Sequence, residues 1–454
     1  MPEVHMVAAG QESSKRFPPA GRLRRWLFRG ISLLLGWGLF ELGCWWMSAL
    51  LIEGGSPAIQ LVIDSPIALG GVPTSQTETF HPYVGWVKNP EIVEKTQYDG
   101  VELRTSRWGF FDTSNGIFQR QPGRVIVGVC GGSVALHMTC AAEKELKAGI
   151  RSIPRYRDCE VILVRMCQAG YKQPQGLMAL NYLALQGAEF DIVINLDGYN
   201  ELALTTAENF QSNVALDYPQ GWHVRTRNVI DPRDAELWEQ VFSLRGSRHR
   251  LHLAGQASRL HRLPSYRLIW FLRFQSRSNG LLEIEAELLG RGRSRKRAFV
   301  NSGPHPEAPN ESAALVEAVR IWQQSSLMMH RFCESQGIVY LHAIQPNQYD
   351  RGSKPLSAEE QENCYSLDIL YGQFIAEGYP QLRQQAASLR QQGVNLLDLT
   401  SLFRTTIETI YVDPFCHLNE TGSRRMARAI TDAIAEMMNR DVNSPSLPSP
   451  ATTR

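Results

Sequence analysis

Residues 124–137 read Arg-Val-Ile-Val-Gly-Val-Cys-Gly-Gly-Ser-Val-Ala-Leu-His, an apolar run that stops abruptly at two glycines and a serine. Val125, Ile126, Val127 and Val129 are β-branched, the pattern of a central parallel strand covered on both faces. Gly131 and Gly132 free the backbone for a tight turn, and a helical pattern follows. The turn leaves the Ser133 hydroxyl at the carboxyl end of the strand, the edge where ligands bind in open α/β sheets. Serine is also a favoured helix N-cap, so the same residues serve as a purely structural start to a helix. The rest of the chain decides between the two.

After this stretch, strand-like and helical patterns alternate. A second strand is expected at 159–165, centred on Val161, Ile162, Leu163 and Val164 and ending in Gln168-Ala169-Gly170-Tyr171, with a helix over 175–186. A third is expected at 191–196, ending in Asp197-Gly198-Tyr199-Asn200-Glu201. Over about 205–304 the alternation lapses, which reads as a helical insertion. It resumes with a helix at 313–335, a strand at 338–344, a helix at 369–391, a short strand at 394–399 and a closing helix at 424–438. Strands alternating with helices predict an α/β domain over 124–440, built on a doubly wound parallel sheet of the flavodoxin-like kind. The segment 54–123 is rich in turn formers, with β-like stretches at 83–87 and 101–105, and reads as a linker and β-rich lead-in. The tail 441–454, rich in Ser, Pro and Thr, reads as disordered.

The first 29 residues carry Lys15, Arg16, Arg22, Arg24, Arg25 and Arg29, and residues 30–52 carry no charge apart from Glu41. That apolar length suits one membrane-spanning helix; a cleaved signal peptide, whose core is usually shorter, and a buried helix of a soluble protein are the alternatives. Trp37, Trp45 and Trp46 fit a bilayer segment with interfacial aromatics. The basic excess keeps 1–29 in the cytoplasm, so the rest of the chain is expected outside a cell membrane crossed once. Glu41 is expensive within a single span and could mark a contact with another helix. Within the insertion, residues 245–277 interleave arginines with Leu251, Leu253, Leu260, Leu263, Trp270, Phe271 and Phe274. This pattern fits a membrane-surface or acidic-ligand element as well as it fits a solvated helical face.

Hydrophobic residues make up 43% of the 454, and the net charge of +2 gives no basic balance pointing to nucleic acid. The eight cysteines include no CxxC pair and no metal-ligand spacing, so no metal site is expected; they read mainly as small buried apolar residues. Neither GxGxxG nor a Walker A pattern follows the first strand, so no nucleotide cofactor is expected.

Three strand ends thus offer Ser133, Gly170 and Asn200, and before the last helix comes Tyr411-Val412-Asp413-Pro414-Phe415-Cys416-His417-Leu418-Asn419-Glu420. Over 124–207 and 311–438 the chain resembles the SGNH (GDSL-type) hydrolase family. There a serine, a glycine, an asparagine and a histidine follow in this order along a doubly wound sheet, with an aspartate shortly before the histidine. The resemblance implies that Ser133 is a nucleophile, His417 its base and Asp413 the carboxylate that orients the base. It further implies that the backbone N–H groups of Ser133 and Gly170, with the Asn200 amide, receive an oxyanion. Two departures stand out. The nucleophile sits in Gly-Gly-Ser instead of Gly-Asp-Ser, and three residues separate Asp413 from His417 where the family usually has two. Together these readings predict a membrane-anchored serine esterase, without cofactor, acting on O-acyl groups of envelope polysaccharide or lipid. O-acyl transfer by the same residues, or a non-catalytic binding or assembly protein of this fold, are the alternatives. Nothing in the sequence bears on the oligomeric state.

Overall fold

The computed structural model describes residues 20–52, 54–64, 77–90, 93–95, 102–112, 117–226, 234–294, 299–366 and 370–443. The chain divides into two compact units, one of Met1–Gly71 with Pro232–Arg291, the other of Val72–Asp231 with Gly292–Arg454.

The larger unit begins with a hairpin, β1 (Glu78–His81) and β2 (Gly85–Lys88), and a small antiparallel sheet of β3 (Val93–Lys95), β4 (Glu102–Thr105) and β5 (Phe111–Asp112). Its centre is a five-stranded parallel sheet of β6 (Arg124–Gly131), β7 (Glu160–Cys167), β8 (Ile192–Asp197), β9 (Val339–Ile344) and β10 (Leu396–Asp398), in the order β10-β9-β8-β6-β7. The chain leaves β6 for β7 on one side and returns to β8 on the other. The carboxyl ends of β6 and β8 therefore lie where the winding reverses, the place at which such sheets open a crevice.

Burial explains the sheet. Seven of the eight residues of β6 and all six of β8 are buried, because helices pack against the sheet. Trp322 from helix Glu311–Ser335 and Tyr379 and Leu382 from helix Leu370–Gln391 belong to the same core. Strand β7 runs two residues beyond the expected end, to Cys167, since Met166 and Cys167 stay buried and in register with Cys130 and Gly131. Strand β10 is shorter than expected, reduced to the three residues that pair with β9. The expected tail at 441–454 begins too early, because the last helix, Glu420–Asn443, runs through its first three residues; 444–454 lie outside the described residues.

The smaller unit is helical. Helix Ala20–Leu51 is, among the described residues, the one helix long and apolar enough to cross a membrane, and it starts ten residues before Gly30, taking in the arginines at 22–29. A second helix, Gly55–Asp64, replaces the expected linker. Its Pro57 falls in the first turn, where a missing N–H leaves no bond unmade. Helices Ala235–Ala257 and Pro264–Ser294 supply the rest. Ile59, Ile63 and Trp270 form a small core, with the Trp270 ring stacked on Phe274 at 4.9 Å and its Nε1 donating to the Leu251 carbonyl at 2.9 Å. The portion of the expected 205–304 insertion that groups with the N-terminal helices is 232–291; its flanks stay with the sheet.

Candidate active site

Strand β6 ends in a turn that requires glycine at position 131 and leaves little room for a side chain at 132. Gly131 has φ +142°, and a Cβ there would stand 2.1 Å from the Leu196 carbonyl oxygen at the end of β8. At Gly132, extended at φ −89° and ψ −153°, a Cβ would stand 2.3 Å from Asn200 Nδ2. With both side chains absent, β6 passes close beneath the loop after β8, and the helix Ser133–Ala141 starts at the serine. Ser133 is half-buried, and its Oγ lies 2.7 Å from His417 Nε2.

His417 sits in a loop closed at its base by the antiparallel bridge Tyr411↔Leu418 and by the Val412 N–H donating to the His417 carbonyl at 3.0 Å. Its Nδ1 lies 2.5 Å from Asp413 Oδ2, while Asp413 Oδ1 accepts from the Phe415 N–H at 2.8 Å. The extra residue is absorbed at Cys416, which adopts the left-handed conformation at φ +61° and turns the chain back so that the carboxylate reaches the ring. Gln348 Nε2 donates to the Asp413 carbonyl at 2.9 Å and Tyr349 OH to the Pro414 carbonyl at 3.1 Å, holding the loop from below.

The protonation pattern follows. Burial alone would raise the Asp413 carboxyl, but the hydrogen bond and charge of His417, with the N–H groups of Phe415 and His417, hold it below the usual range. An ionised carboxylate only accepts, so Nδ1 donates to it and Nε2 is left to accept the serine proton. His137, one turn after Ser133, lies with its ring 4.7 Å from that of His417; burial first, then His417, lowers it from 6.5 to about 4. A neutral His137 puts no second cation beside the imidazole. Burial pushes the Cys416 thiol well above its ordinary value, so the cysteine beside His417 is no rival nucleophile.

Asn200 comes from the short helix Tyr199–Ala203, whose start is fixed by Glu201: its carboxyl accepts from the Gly198 N–H at 2.8 Å and the Gln173 N–H at 3.0 Å. The Asn200 amide donates to the Tyr171 carbonyl at 2.7 Å and lies against Gly132, beside the serine. Gly170 belongs to the neighbouring loop, joined to β6 by the Gln168 N–H donating to the Gly131 carbonyl at 3.3 Å. It has φ +82°, and a Cβ there would stand 2.0 Å from Gln220 Oε1. No hydrogen bond joins Gly170 to Ser133 among the described residues. The structure thus joins Ser133, His417 and Asp413 directly, sets Asn200 beside them, and leaves Gly170 in the adjoining loop under Gln220.

Several neighbours were not legible in the sequence. Gln220 Nε2 donates to Glu208 at 3.2 Å, and Glu208 accepts from Tyr371 OH at 2.8 Å, whose ring lies 6.2 Å from that of Phe415. Tyr171 OH donates to the Trp86 carbonyl at 2.6 Å, which fastens the β1–β2 hairpin to the Gly170 loop. Beneath the site, buried Asp197 accepts from Trp322 Nε1 at 2.7 Å, Asn195 Nδ2 at 2.7 Å and Gln173 Nε2 at 3.1 Å, and pairs with His342 Nε2 at 2.8 Å. For this last group a signal did exist, since Asn195, Asp197 and His342 interrupt otherwise apolar strands.

No protein-family profile matches the chain, and no curated protein matches it. Solved structures similar in part include the following two. A candidate acylhydrolase from Bacteroides fragilis is 7% identical, with 71% of this chain and 92% of that one covered at a TM-score of 0.33. An acetyl xylan esterase is 12% identical, with 68% and 100% covered at 0.30. At those TM-scores the likeness carries no argument about function, which rests on the residues of this chain.

Proposed function

We propose that the chain is a membrane-anchored serine esterase of the SGNH type on a doubly wound sheet, acting outside the membrane on O-acyl groups of envelope polysaccharide or lipid. One observation carries the reading: a single imidazole lies 2.7 Å from a serine hydroxyl and 2.5 Å from a carboxylate. Ser133 Oγ attacks the acyl carbonyl as its proton passes to His417 Nε2, and Asp413 stabilises the imidazolium that forms. The oxyanion takes hydrogen bonds from the Ser133 and Gly170 N–H groups and from the Asn200 amide. His417 then returns the proton to the departing alkoxide, and water admitted in its place releases the acid. The wider Asp413 spacing, which would favour a non-catalytic relative, is offset by the turn at Cys416.

A fluorophosphonate probe tests this. The full chain in detergent should be labelled at Ser133, as located by mass spectrometry of the digested adduct, and not in Ser133→Ala. Absence of labelling at Ser133 while the protein remains folded would leave the non-catalytic reading. Incubating a labelled acyl donor with and without a sugar acceptor then separates hydrolysis from acyl transfer.

A further inference from the structure

Helix Ala20–Leu51 is exposed over most of its length, with one covered face in its last third; Leu42, Met47, Leu50 and Leu51 stay exposed there. From Arg24 to Phe40 every side chain is exposed, whereas beyond it Glu41, Cys44 and Ser48 are partly or wholly covered. Those three recur at i, i+3 and i+7, one face of a helix. What meets this face at Glu41 is a polar turn. Glu41 Oε1 accepts from Ser265 Oγ at 2.6 Å and Oε2 from the Ser265 N–H at 2.9 Å. Ser265 stands in the first turn of helix Pro264–Ser294, directly after the 3₁₀ turn Arg259–Arg262. Arg267 ties the same turn down, with Nε donating to the His261 carbonyl at 2.6 Å and Nη1 to Ser56 Oγ at 3.2 Å.

This contact fixes where the bilayer can end. The segment 258–263 is not α-helical and exposes Arg259 and Arg262, and neither irregular backbone nor charge is tolerated facing hydrocarbon. Because Glu41 holds that segment level with residue 41, the hydrocarbon stops near Phe40. Residues 24–40 rise about 25 Å, of which the uncharged run 30–40 supplies about 16 Å, so the span is shorter than the 30–52 expected from the sequence and needs Arg24, Arg25 and Arg29 to extend to the inner headgroups and the bilayer to thin around it. Glu41 then lies at the outer interface instead of in mid-membrane. Trp45 and Trp46, both exposed, fall about one turn beyond it, where interfacial aromatics belong. Leu260, 55% exposed, stands between the two exposed arginines.

We propose that the Arg259–Arg262 turn is a second membrane contact, seated on the outer leaflet of the bilayer that the N-terminal helix spans. Leu260 enters just below the phosphates, and Arg259 and Arg262 bind the phosphate groups of the phospholipid headgroups. The occupant is a lipid surface because the turn is bonded to the helix that crosses that surface, and its exposed residues combine one apolar side chain with two cations. This rests on the anchor reading made above.

Nitroxide depth measurements in nanodiscs of mixed phosphatidylglycerol and phosphatidylcholine separate the two. The full chain carries one label at a time, as Leu34→Cys or Leu260→Cys, with half-buried Cys44 and Cys159 changed to serine. A free soluble nitroxide serves as the aqueous standard. Collision with oxygen and with a water-soluble nickel chelate should place the label at 34 in the hydrocarbon and that at 260 at the headgroup level. A label at 34 that behaves as aqueous overturns the anchor reading itself. A deep label at 34 with an aqueous one at 260, or with both equally deep, overturns the second contact alone. Arg259→Glu with Arg262→Glu should shift the label at 260 to the aqueous value while that at 34 stays; an unshifted label excludes the phosphate interaction.

Discussion

His417 touches both Ser133 and Asp413, so the three act as a unit and single losses are not additive. Ser133→Ala and His417→Ala are each expected to lower kcat on a model acetyl ester about 10⁴-fold or more without unfolding the domain, as read from initial rates beside circular dichroism. Asn200 is a finer case, because its amide already donates one bond to Tyr171 and an oxyanion would take the other N–H. Asn200→Ala should lower kcat about 10²- to 10³-fold with little change in KM; a stable variant at near-normal rate removes Asn200 from the chemistry. His137 gives a pH prediction. In the folded chain it titrates at about 4 instead of 6.5, so between those values the unfolded chain binds a proton that the folded one does not. Its contribution to stability is therefore present above pH 6.5 and is lost as the pH falls toward 4, by up to roughly 1.4 kcal/mol per unit. His137→Gln should flatten the fall in denaturation midpoint between pH 7 and pH 4, and an unchanged slope would mean that the ring is not held neutral. Ser133, His417 and Asp413 were singled out by the order of their motifs at strand and loop ends together with the family resemblance that this order carries. Gln220 and Glu208 were not, since polar residues in an irregular segment carry no period to read.

The two loops that frame the site follow different rules. Strand β6 was legible because its β-branched run admits one reading, and its last glycine is confirmed by geometry: Gly131→Ala would drive a Cβ into the Leu196 carbonyl at φ +142°. That substitution is expected to cost about 2–4 kcal/mol in chemical denaturation, with activity lost in step. The His417 loop could not be foreseen, because cysteine is not a residue that advertises a left-handed turn. Its conformation yields a test: Cys416→Gly should keep most activity, whereas Cys416→Val, strained at positive φ, should lose it and lower the melting temperature. If the valine variant works as well as the glycine one, the turn is not what brings Asp413 to the ring. Helix Gly55–Asp64 escaped the sequence reading for the reverse reason. Gly54, Gly55 and Pro57 are turn formers in most settings, and only tertiary contacts through Ile59 and Ile63 make the segment helical.

For the molecule as a whole, the alternation of strands and helices across 124–440 anticipated the parallel sheet. The company kept by 232–291 stayed hidden, because it rests on side chains two hundred residues apart, as Glu41 and Ser265 are. The basic N-terminal flank predicts that the sheet unit lies outside the membrane. An alkaline phosphatase fused to the C-terminus should be active in cells and a cytoplasmic reporter at the same point silent; the opposite pair of results would reverse the orientation. The distance along the chain between Ser133 and His417, 284 positions, has a further consequence. On the proposed chemistry, a growing chain exposes its serine hydroxyl long before synthesis reaches the imidazole that ionises it. On the proposed function, a chain cut short before residue 417 therefore carries the serine without its base and has no working esterase site.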